Sequence, residues 1–595
     1  MSDDVLDTTP EKSGPPKPLR RLFGYLRHSP SRLAAVVGLS FVGTLLALIP
    51  AVLVGSIING PITDGDTDAL RTDLIVLLVL AVGGFVAMWY GGRVLAVAAQ
   101  DAMYRLRREV FEHTQTLSLR FFDRQPIGDL MSRITNDLDS VNQLFDKGLY
   151  PAINSVFTLV ITTVLMFIVS WQLSLAVILI APIVLLMMHI TSRYSGPAFA
   201  ILQERTGALN GAAEELITGD RTVKAYRVET RAQARLEQLS AEAREAGTRA
   251  NFVALTATPL SAMLSNLDVA LVALAGGWLS LRGTIDVGTV ASFFIFARTF
   301  SRPLNQFAQI LNMALQAAAG ATRVFEILDE KPEIVDRPDA ADITQLDGLV
   351  EMDHVDFSYV PGVPILRDVS LTARPGQKIG LVGPTGAGKS TIINVITRYY
   401  DIEAGDVRLD EVSIYDVTQR SLRERVGMVL QEPYLFSDTV MANIRYARLD
   451  ATDEECIEAA KAASADAFIA TLPKGYDTVL AGGGSNLSQG QRQLITIARI
   501  ILADRPVLIL DEATSSVDTR TEKKLQEALT VMMRGRTSFV IAHRLSTIRD
   551  ADVIVAINEG RVVDVGSHDE LMAAGGFYHD LYMSQFRGDA APAAV

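Results

Sequence analysis

The chain has 595 residues, of which 49% are hydrophobic and 21% charged, and its mean hydropathy is +0.24. This composition is too apolar for an ordinary soluble enzyme of this length, and the formal charge of −13 excludes a nucleic-acid-binding protein that works through its overall charge. The single cysteine, Cys456, excludes an intramolecular disulfide and a multi-cysteine zinc site. The chain is therefore either a membrane protein or a membrane domain fused to a soluble one.

Apolar residues concentrate in the first half of the chain. A bilayer-spanning helix needs about 20 mostly apolar residues. Six stretches satisfy this condition: Leu33–Ile58, Leu74–Val97, Pro151–Val169, Leu173–Ile190, Phe252–Leu281 and Gly288–Leu315. Buried helices of a large soluble protein would not give so many long runs with so few charges, so the pattern predicts an all-α domain of six spans.

The basic residues between the spans predict their orientation. Lysine and arginine are frequent before the first span and in the loops after the second and fourth spans, and they are rare in the other three connections. Because basic loops stay in the cytoplasm, both termini are predicted to lie there. The first apolar run is too long for the core of a cleavable signal peptide and follows a long polar segment.

The two basic loops are long, polar and rich in helix-favouring residues. The simplest interpretation is that the spans continue as helices into the cytoplasm and reverse there. Two turns are recognisable, Phe121–Gly128 and Thr218–Ala225. A cytoplasmic structure is expected to meet both of them.

The chain after about Arg337 has the pattern of a soluble α/β domain, and it contains a glycine-rich loop. Lys378–Val382 is a short apolar strand, and the loop that follows opens the helix Ile392–Tyr399. The loop reads Gly383-Pro384-Thr385-Gly386-Ala387-Gly388-Lys389-Ser390-Thr391. This is G-x-x-x-x-G-K-[ST] in its strand–loop–helix context, which cradles a phosphate chain with backbone N–H groups. Lys389 can meet the outer phosphates and Ser390 can hold Mg²⁺, although a glycine-rich turn used only for packing is the alternative.

A second apolar strand ends in acids. Val507–Leu510 is followed by Asp511 and Glu512. Asp511 suits a metal shell, and Glu512 can polarise a water for in-line attack on a γ-phosphate. His543 follows another apolar strand, where it either contacts a phosphate or has a purely structural role.

These features, together with four further motifs, resemble the ATP-binding cassette (ABC) ATPases. Leu487-Ser488-Gln489-Gly490-Gln491 resembles the family signature, and Ser515–Asp518 resembles the D-loop. Gln431 resembles the Q-loop glutamine and Tyr359 the aromatic residue that stacks on adenine. With six preceding spans, the chain resembles an ABC exporter half-transporter almost from end to end, similar to subunits of bacterial heterodimeric multidrug and lipid exporters.

The resemblance implies a role for each matching residue. Tyr359 would stack on the base of ATP, and Gly383 to Thr391 would hold its phosphates. Ser390, Gln431 and Asp511 would surround Mg²⁺, while Glu512 would be the catalytic base and His543 the γ-phosphate sensor. Ser488, Gly490 and Gln491 would complete the nucleotide site of an opposing subunit. The two cytoplasmic turns would be the coupling helices.

A partner subunit is implied because one phosphate loop and one signature cannot sandwich ATP within the same chain. Two departures from the family pattern bear on that partner: Gln489 stands where glycine is commonest, and Ala481–Gly484 replaces the frequent Gly-Glu-Arg-Gly. A heterodimer is therefore the preferred prediction, and a homodimer that tolerates both changes is the alternative.

The sixth span carries a polar stripe that bears on the cargo. Its members recur every three or four residues and so share one helical face: Arg298, Arg302, Asn305, Gln309, Asn312 and Gln316. The stripe is either a wall of a cavity for amphipathic or anionic cargo or a solvated face below the membrane. Asp268, on the fifth span, is a possible partner for one of the arginines, and Pro303 predicts a kink.

The predicted fold is a multidomain membrane protein: an all-α six-helix transmembrane domain with long intracellular helices, followed by an α/β P-loop ATPase domain. The predicted boundaries are a flexible N-terminus (1–20), the transmembrane domain (21–325), a linker (326–347), the ATP-binding cassette (348–583) and a flexible tail (584–595). The predicted function is ATP-driven export of amphipathic small molecules or lipids from the bacterial plasma membrane, with membrane lipids and a second half-transporter as partners and no nucleic acid. An importer on the same scaffold and a regulatory membrane ATPase are the alternatives.

Overall fold

The computed structural model describes residues 17–431, 433–511, 519–541 and 548–589. These residues form two compact units. The first unit contains the described residues up to Thr116 together with Gln125–Glu330, and the second contains Leu117–Arg124 together with the described residues from Lys331 onward. A short segment from the first half of the chain therefore belongs to the second unit.

The described residues of the first unit form helices only. These are α1 (Lys17–Leu26), α2 (Pro30–Ile57), α3 (Thr67–Thr114), α5 (Ile127–Ser132), α6 (Leu138–Gln143), α7 (Leu149–Val169), α8 (Trp171–Ile178), α9 (Ile180–Thr218), α10 (Asp220–Ala225), α11 (Glu229–Leu281) and α12 (Val287–Asp329), with α4 (Leu119–Arg124) assigned to the second unit. Single π-helical turns at Ile58–Ile62, Arg133–Asp137 and Leu144–Gly148 continue the neighbouring helices.

Two helices are far longer than a membrane is thick. The helix α3 has 48 residues and α11 has 53, so at about 1.5 Å per residue each extends for roughly 70 to 80 Å. The hydrocarbon core of a bilayer is about 30 Å thick. The predicted continuation of the spans as long helices is confirmed, and the short helices α4 and α10 lie at the two predicted turns.

Five of the six predicted spans are long and apolar enough to cross a membrane: Pro30–Ile62, Thr67–Thr114, Ile127–Val169, Trp171–Thr218 and Glu229–Leu281. The sixth corresponds to α12, which is one helix that continues through Pro303 but does not reach the same apolar content among the described residues. The reason is the polar stripe, since Arg298 and Arg302 interrupt the apolar run at its middle. Length alone would therefore allow α12 to span a bilayer, but its composition makes it unsuited to full contact with lipid.

The predicted pairing of Asp268 with an arginine is wrong. Asp268 is fully buried, and neither of its carboxylate oxygens has a hydrogen-bond partner among the described residues. Arg298 and Arg302 are both exposed, on the side of α12 that faces away from its buried phenylalanines. The two arginines therefore point away from the apolar layer in which Asp268 is buried.

The described residues of the second unit form ten strands: β1 (Val350–Val360), β2 (Val363–Ala373), β3 (Lys378–Val382), β4 (Ala404–Leu409), β5 (Val412–Ser413), β6 (Val426–Val429), β7 (Val507–Asp511), β8 (Thr537–Ile541), β9 (Val553–Asn558) and β10 (Arg561–Gly566). A four-stranded antiparallel sheet has the order β2-β1-β4-β5, and a six-stranded sheet has the order β10-β9-β3-β8-β7-β6. In the larger sheet the pairs β9–β3, β3–β8, β8–β7 and β7–β6 are parallel, and the edge strand β10 is antiparallel to β9.

The helices of this unit cover the sheets and build a second lobe. They are α13 (Lys389–Ile396), α14 (Gln419–Arg423), α15 (Val440–Arg445), α16 (Asp453–Ala462), α17 (Asp466–Ile469), α18 (Gln489–Ala503), α19 (Thr519–Met533), α20 (His568–Ala574) and α21 (Phe577–Asp589), with 3₁₀ turns at Gly475–Asp477 and Gly482–Gly484. One core lies under β1, β2 and α13. A separate core joins α15, α16, α18 and α19, so the phosphate loop and the signature are supported by different cores.

Candidate nucleotide-binding site

The phosphate loop has a backbone that only glycine fits at two positions. Gly383 has φ +153°, and a Cβ there would lie 2.2 Å from the carbonyl oxygen of Ile557. Gly388 has φ +106°, and a Cβ there would lie 2.9 Å from Leu366 Cδ2. These glycines let the loop pack tightly against its own domain. Gly386, with φ +83°, has open space where its Cβ would be, so this part of the loop leaves room for a ligand to approach the backbone.

The charged and hydroxyl groups of the loop occupy different environments. Lys389 is 7% exposed, and its Nζ donates hydrogen bonds to the carbonyl oxygens of Gly383 (2.8 Å) and Pro384 (2.9 Å). This places a buried cation beside the loop backbone, where it is available to phosphate oxygens. Ser390 is exposed at the start of α13, whereas Thr391 is buried. Both the charge and the exposed hydroxyl suit a phosphate chain with its metal ion.

Tyr359 lies beside the helix that follows the loop. Its hydroxyl accepts a hydrogen bond from Asn394 Nδ2 (3.0 Å) and donates a longer one to Thr391 Oγ1 (3.4 Å). The tyrosine is half-buried. The structure thus brings the residue expected to stack on a base next to α13, and it adds Asn394 as a supporting residue that the sequence patterns did not reveal.

The strand order brings four predicted motifs to one edge of the larger sheet. Leu381 of β3 is opposite Ile541 of β8, and Leu510 of β7 is opposite both Val540 of β8 and Val429 of β6. Because these strands are parallel and in step, the segments that follow them leave the sheet at the same edge. Neighbouring strands are about 4.8 Å apart, so the end of β7 lies roughly 10 Å from the end of β3.

Each of these strand ends carries a predicted site residue. The phosphate loop follows β3, Gln431 follows β6 and is exposed, and Asp511 is the last residue of β7 and half-buried. Glu512 directly follows β7 and His543 comes two residues after β8, but both lie outside the described residues, as does the D-loop. Ser390, Gln431 and Asp511 carry the hydroxyl, amide and carboxylate oxygens that Mg²⁺ accepts as ligands. The donor chemistry at this edge therefore fits the predicted metal.

The signature forms the start of α18. Ser488 is the N-cap: its hydroxyl accepts a hydrogen bond from the backbone N–H of Gln491 (3.3 Å), and the Gln491 side chain accepts one from the backbone N–H of Ser488 (2.9 Å). This capping box fixes the N-terminus of a 15-residue helix. Ser488 is exposed and Gly490 is buried. An exposed helix N-terminus with a serine cap is suited to an anionic group supplied from outside the lobe.

Sequence reasoning missed a contact between the first predicted cytoplasmic turn and this domain. Tyr400 is 3% exposed, and its hydroxyl donates a hydrogen bond to a carboxylate oxygen of Asp123 in α4. Burial, and then this hydrogen bond, raise the pKa of Tyr400 well above its usual range. The prediction that something cytoplasmic meets this turn was the available signal, but no pattern identified Tyr400.

Comparison with known families and proteins agrees with this arrangement. Residues 33–304 match the family model of the ABC transporter transmembrane region, and residues 366–515 match the ABC transporter family model. An uncharacterized ABC transporter ATP-binding protein, YfiC, of Bacillus subtilis is 40% identical over 96% of this chain and 94% of its own. This chain belongs to the ABC transporters. Its cassette binds ATP, and hydrolysis of ATP is coupled to transport.

Other relatives carry more specific names. A fatty acid ABC transporter ATP-binding/permease protein of Mycobacterium bovis is 41% identical over 87% of this chain and 82% of its own. An ATP-dependent lipid A-core flippase of Syntrophus aciditrophicus is 35% identical over 94% of this chain and 93% of its own. The structure of a bacterial Atm1-family ABC exporter with ATP bound covers 95% of this chain and 99% of its own, with a TM-score of 0.76 and 28% identity. The predicted fold class and the predicted family of ABC exporter half-transporters are confirmed, and exporters of this kind act as dimers in the membrane.

Proposed function

We propose that this protein exports amphipathic small molecules or lipids by alternating access, as one half of a dimer. The observation that carries this proposal is the two-sided surface of α12. Phe293, Phe296 and Phe300 are buried within the first unit, whereas Arg298 and Arg302 on the other face are exposed. Polar groups in a span normally face a water-filled path or the interior of a bundle rather than lipid. The polar face of α12 therefore suits the wall of a translocation cavity.

The exposed polar face continues along the helix. Gln309, Asn312 and Gln316 are all exposed on it, while the side chain of Asn305 lies outside the described residues. A continuous polar face of this length gives cargo a path between the cytoplasmic side and the middle of the bilayer, with apolar residues close by for acyl or aromatic parts.

The two arginines favour cargo with an anionic head group. Arg298 and Arg302 are one helical turn apart, and neither forms an ion pair among the described residues. Guanidinium groups bind carboxylates and phosphates through paired hydrogen bonds. The names of the fatty acid transporter and the lipid A-core flippase add support, since the molecules in those names are lipids.

We assign the nucleotide chemistry to the residues predicted from the sequence. Tyr359 stacks on the base, residues 383–391 hold the phosphates, and Ser390, Gln431 and Asp511 hold Mg²⁺, which neutralises phosphate charge when bound. Glu512 accepts a proton from the attacking water, and His543 contacts the γ-phosphate. Ser488, Gly490 and Gln491 serve the site of the partner subunit.

This assignment of roles is tested by two substitutions. Glu512→Gln should preserve ATP binding but remove most hydrolysis, because an amide cannot accept the proton. Lys389→Ala should instead weaken binding itself, because it removes the cation beside the loop. Binding of a fluorescent ATP analogue and phosphate release, measured on the same purified complexes, separate the two effects. Near-normal turnover in Glu512→Gln would mean that the base lies elsewhere.

The cargo assignment is tested on the arginine face. Arg298→Ala should alter cargo stimulation in liposomes while basal ATPase stays within about two- to threefold of the unsubstituted protein. Arg282→Ala is a matched control, since Arg282 is an exposed arginine after α11 that packs over Trp278 and lies off the stripe. Equal cargo responses in the two variants, for anionic and neutral lipids alike, would contradict a cargo-binding role.

We further propose that the partner is a related but different chain. The support is Gln489 and Gly482, two departures from the family pattern on the side of the signature that would serve the partner's nucleotide. In such a pair Glu512→Gln alone should abolish transport, and the matching substitution in the partner should do little. Co-purification from the native membrane identifies the partner. A stable homodimer with full cargo-stimulated activity would refute this pairing.

The orientation of the chain completes the proposal. The basic loops support a topology in which both termini and both cytoplasmic turns lie on the side of the membrane where ATP is present. This topology is tested by placing single cysteines in Thr67–Asp73 and after Asp589. The cysteines are then labelled in intact cells with an impermeant maleimide. Only the first position should react from outside.

A further inference from the structure

Two separate segments of the chain contact Tyr400 in the second unit. The first is the turn helix α4, whose Asp123 accepts the hydrogen bond from the Tyr400 hydroxyl. The second is β1, the strand that carries Phe357 and Tyr359. Tyr400 itself follows α13, the helix opened by the phosphate loop, so this contact point lies within the nucleotide-binding half of the domain.

Arg120 of α4 strengthens the contact from the turn. Its guanidinium carbon lies 5.7 Å from the centre of the Tyr400 ring, and its Nη1 forms an ion pair with Glu333 Oε1 at 2.9 Å. Glu333 belongs to the segment that leaves α12. Two residues of α4, Arg120 and Asp123, therefore form side-chain contacts. Both contact Tyr400, and Arg120 also pairs with Glu333 in the segment that follows α12.

The other side of the Tyr400 ring is packed against the proposed base site. The Tyr400 and Tyr359 rings meet edge to face, with centroids 5.0 Å apart and an interplanar angle of 90°. Phe357 completes the cluster, 5.8 Å from Tyr400 and 4.8 Å from Tyr359. Rings packed at these distances cannot move independently, because interiors are close-packed and a shift of one ring displaces the next.

We propose that Tyr400 is a positioning residue that couples occupancy of the base site to the first cytoplasmic turn. A base stacked on Tyr359 holds that ring in place; Tyr400 then keeps the orientation in which its hydroxyl reaches Asp123, and α4 stays docked. The coupling has two states: in one, α4 is held by the Tyr400–Asp123 hydrogen bond, and in the other, this hydrogen bond is broken and α4 is released. The inference rests on the proposed role of Tyr359, and it predicts that the turn responds to the base of the nucleotide and not only to its phosphates.

The test uses a reporter on the turn in the full-length complex. Cys456, the native cysteine, is buried and is replaced by alanine, and Arg124, which is exposed at the end of α4, is replaced by cysteine. The rate of maleimide labelling is measured without ligand, with ATP and with inorganic tripolyphosphate, which has phosphates but no base. We expect ATP to slow labelling about fivefold or more, the lower end of usual allosteric coupling, and tripolyphosphate to have no such effect.

Substitutions on the two sides of the contact then locate the coupling. Tyr400→Phe removes the donor of the hydrogen bond and Asp123→Ala removes its acceptor. In both variants the ATP effect on labelling should disappear, while the affinity for ATP falls by no more than the same factor, because coupling is reciprocal. Tyr399→Phe is the matched control, because Tyr399 lies next to Tyr400 but packs under Arg423. If Tyr400→Phe is poorly folded, Asp123→Ala, a change at an exposed residue, carries the test alone.

The outcomes separate this inference from the proposed function. Equal effects of ATP and tripolyphosphate, or an ATP effect that survives in Asp123→Ala, would overturn the coupling role of Tyr400 and leave the exporter assignment intact. Failure of the protein to bind ATP, with tripolyphosphate still bound, would overturn the role of Tyr359 and this inference with it. Loss of the ATP effect in both variants but not in Tyr399→Phe would establish the coupling.

Discussion

The helices α4 and α10, at the two predicted cytoplasmic turns, each have six residues but differ in their surroundings. The helix α4 has Phe121 buried and is held in the second unit through Asp123 and Arg120. The helix α10 has no buried residue, and Ile217 and Tyr226 beside it are each 77% exposed. The sequence predicts the same kind of turn twice, but the two turns differ in the structure. The turn at α4 packs on residues of its own chain, whereas the apolar side chains beside α10 are exposed. We expect the second turn to meet its binding surface on a partner subunit.

The largest expected effect is at the covered turn. Phe121→Ala should destabilise the chain by about 3–5 kcal/mol, the usual cost of deleting a buried phenylalanine, and cargo-stimulated ATPase should be lost with it. Thermal unfolding and ATPase of the purified complex measure both. Ile127→Ala is the control, because Ile127 is close in sequence but 75% exposed. Similar losses of stability in the two variants would mean that burial does not distinguish these positions.

The uncovered turn should respond differently. Tyr226→Ala should leave the thermal stability of the isolated chain unchanged, since the side chain is mostly solvated there, but should weaken assembly by about 2 kcal/mol if it is an interface anchor. Dimer dissociation measured by analytical ultracentrifugation in detergent provides the number. If the Tyr226→Ala dimer is as stable as the unsubstituted dimer, or if the isolated chain is already less stable, the two turns do not differ in the way proposed.

Two buried aspartates in the first unit, Asp137 and Asp268, differ in whether the carboxylate has a hydrogen-bond partner. Asp137 accepts a 2.7 Å hydrogen bond from Arg323 Nε and a second one from the same guanidinium, whereas the carboxylate of Asp268 has no partner among the described residues. Asp137→Asn should destabilise the protein by about 1–3 kcal/mol, and Asp268→Leu should be neutral or stabilising. Thermal unfolding in the same detergent tests both, and a strong loss in Asp268→Leu would indicate a partner supplied by the other subunit.

The smallest effect is expected at an exposed ion pair of the second turn. Lys224 and Asp220 form an i,i+4 pair at 2.8 Å, with more than half of each side chain exposed. Lys224→Gln should therefore leave the unfolding temperature unchanged within error, because solvent screens such pairs. A measurable shift in the assembled dimer alone would show that the partner covers this turn.

Much of the site could be predicted because its determinants are local. The strand, the glycines and Lys389 of the phosphate loop lie within a dozen residues, and the backbone conformation at Gly383 and Gly388 has no substitute among other residues. The long helices follow from uninterrupted apolar and helix-favouring runs. The sixth span was predicted from the mostly apolar run Gly288–Leu315, but α12 is less apolar than the other five candidate spans, because Arg298 and Arg302 offset the neighbouring phenylalanines.

The sequence by itself determined the spans, the phosphate loop, the acidic end of β7 and the helix-capping signature, since each depends on residues close together in the chain. Only the tertiary structure decided that β3 lies beside β8, so that distant motifs share one sheet edge, and that Asp268 is buried without an arginine. It also decided that Asp123 meets Tyr400, 277 residues further along the chain. A periodic pattern specifies which face of a helix is apolar, but which partner that face meets depends on how all the elements pack, and no local pattern carries that information.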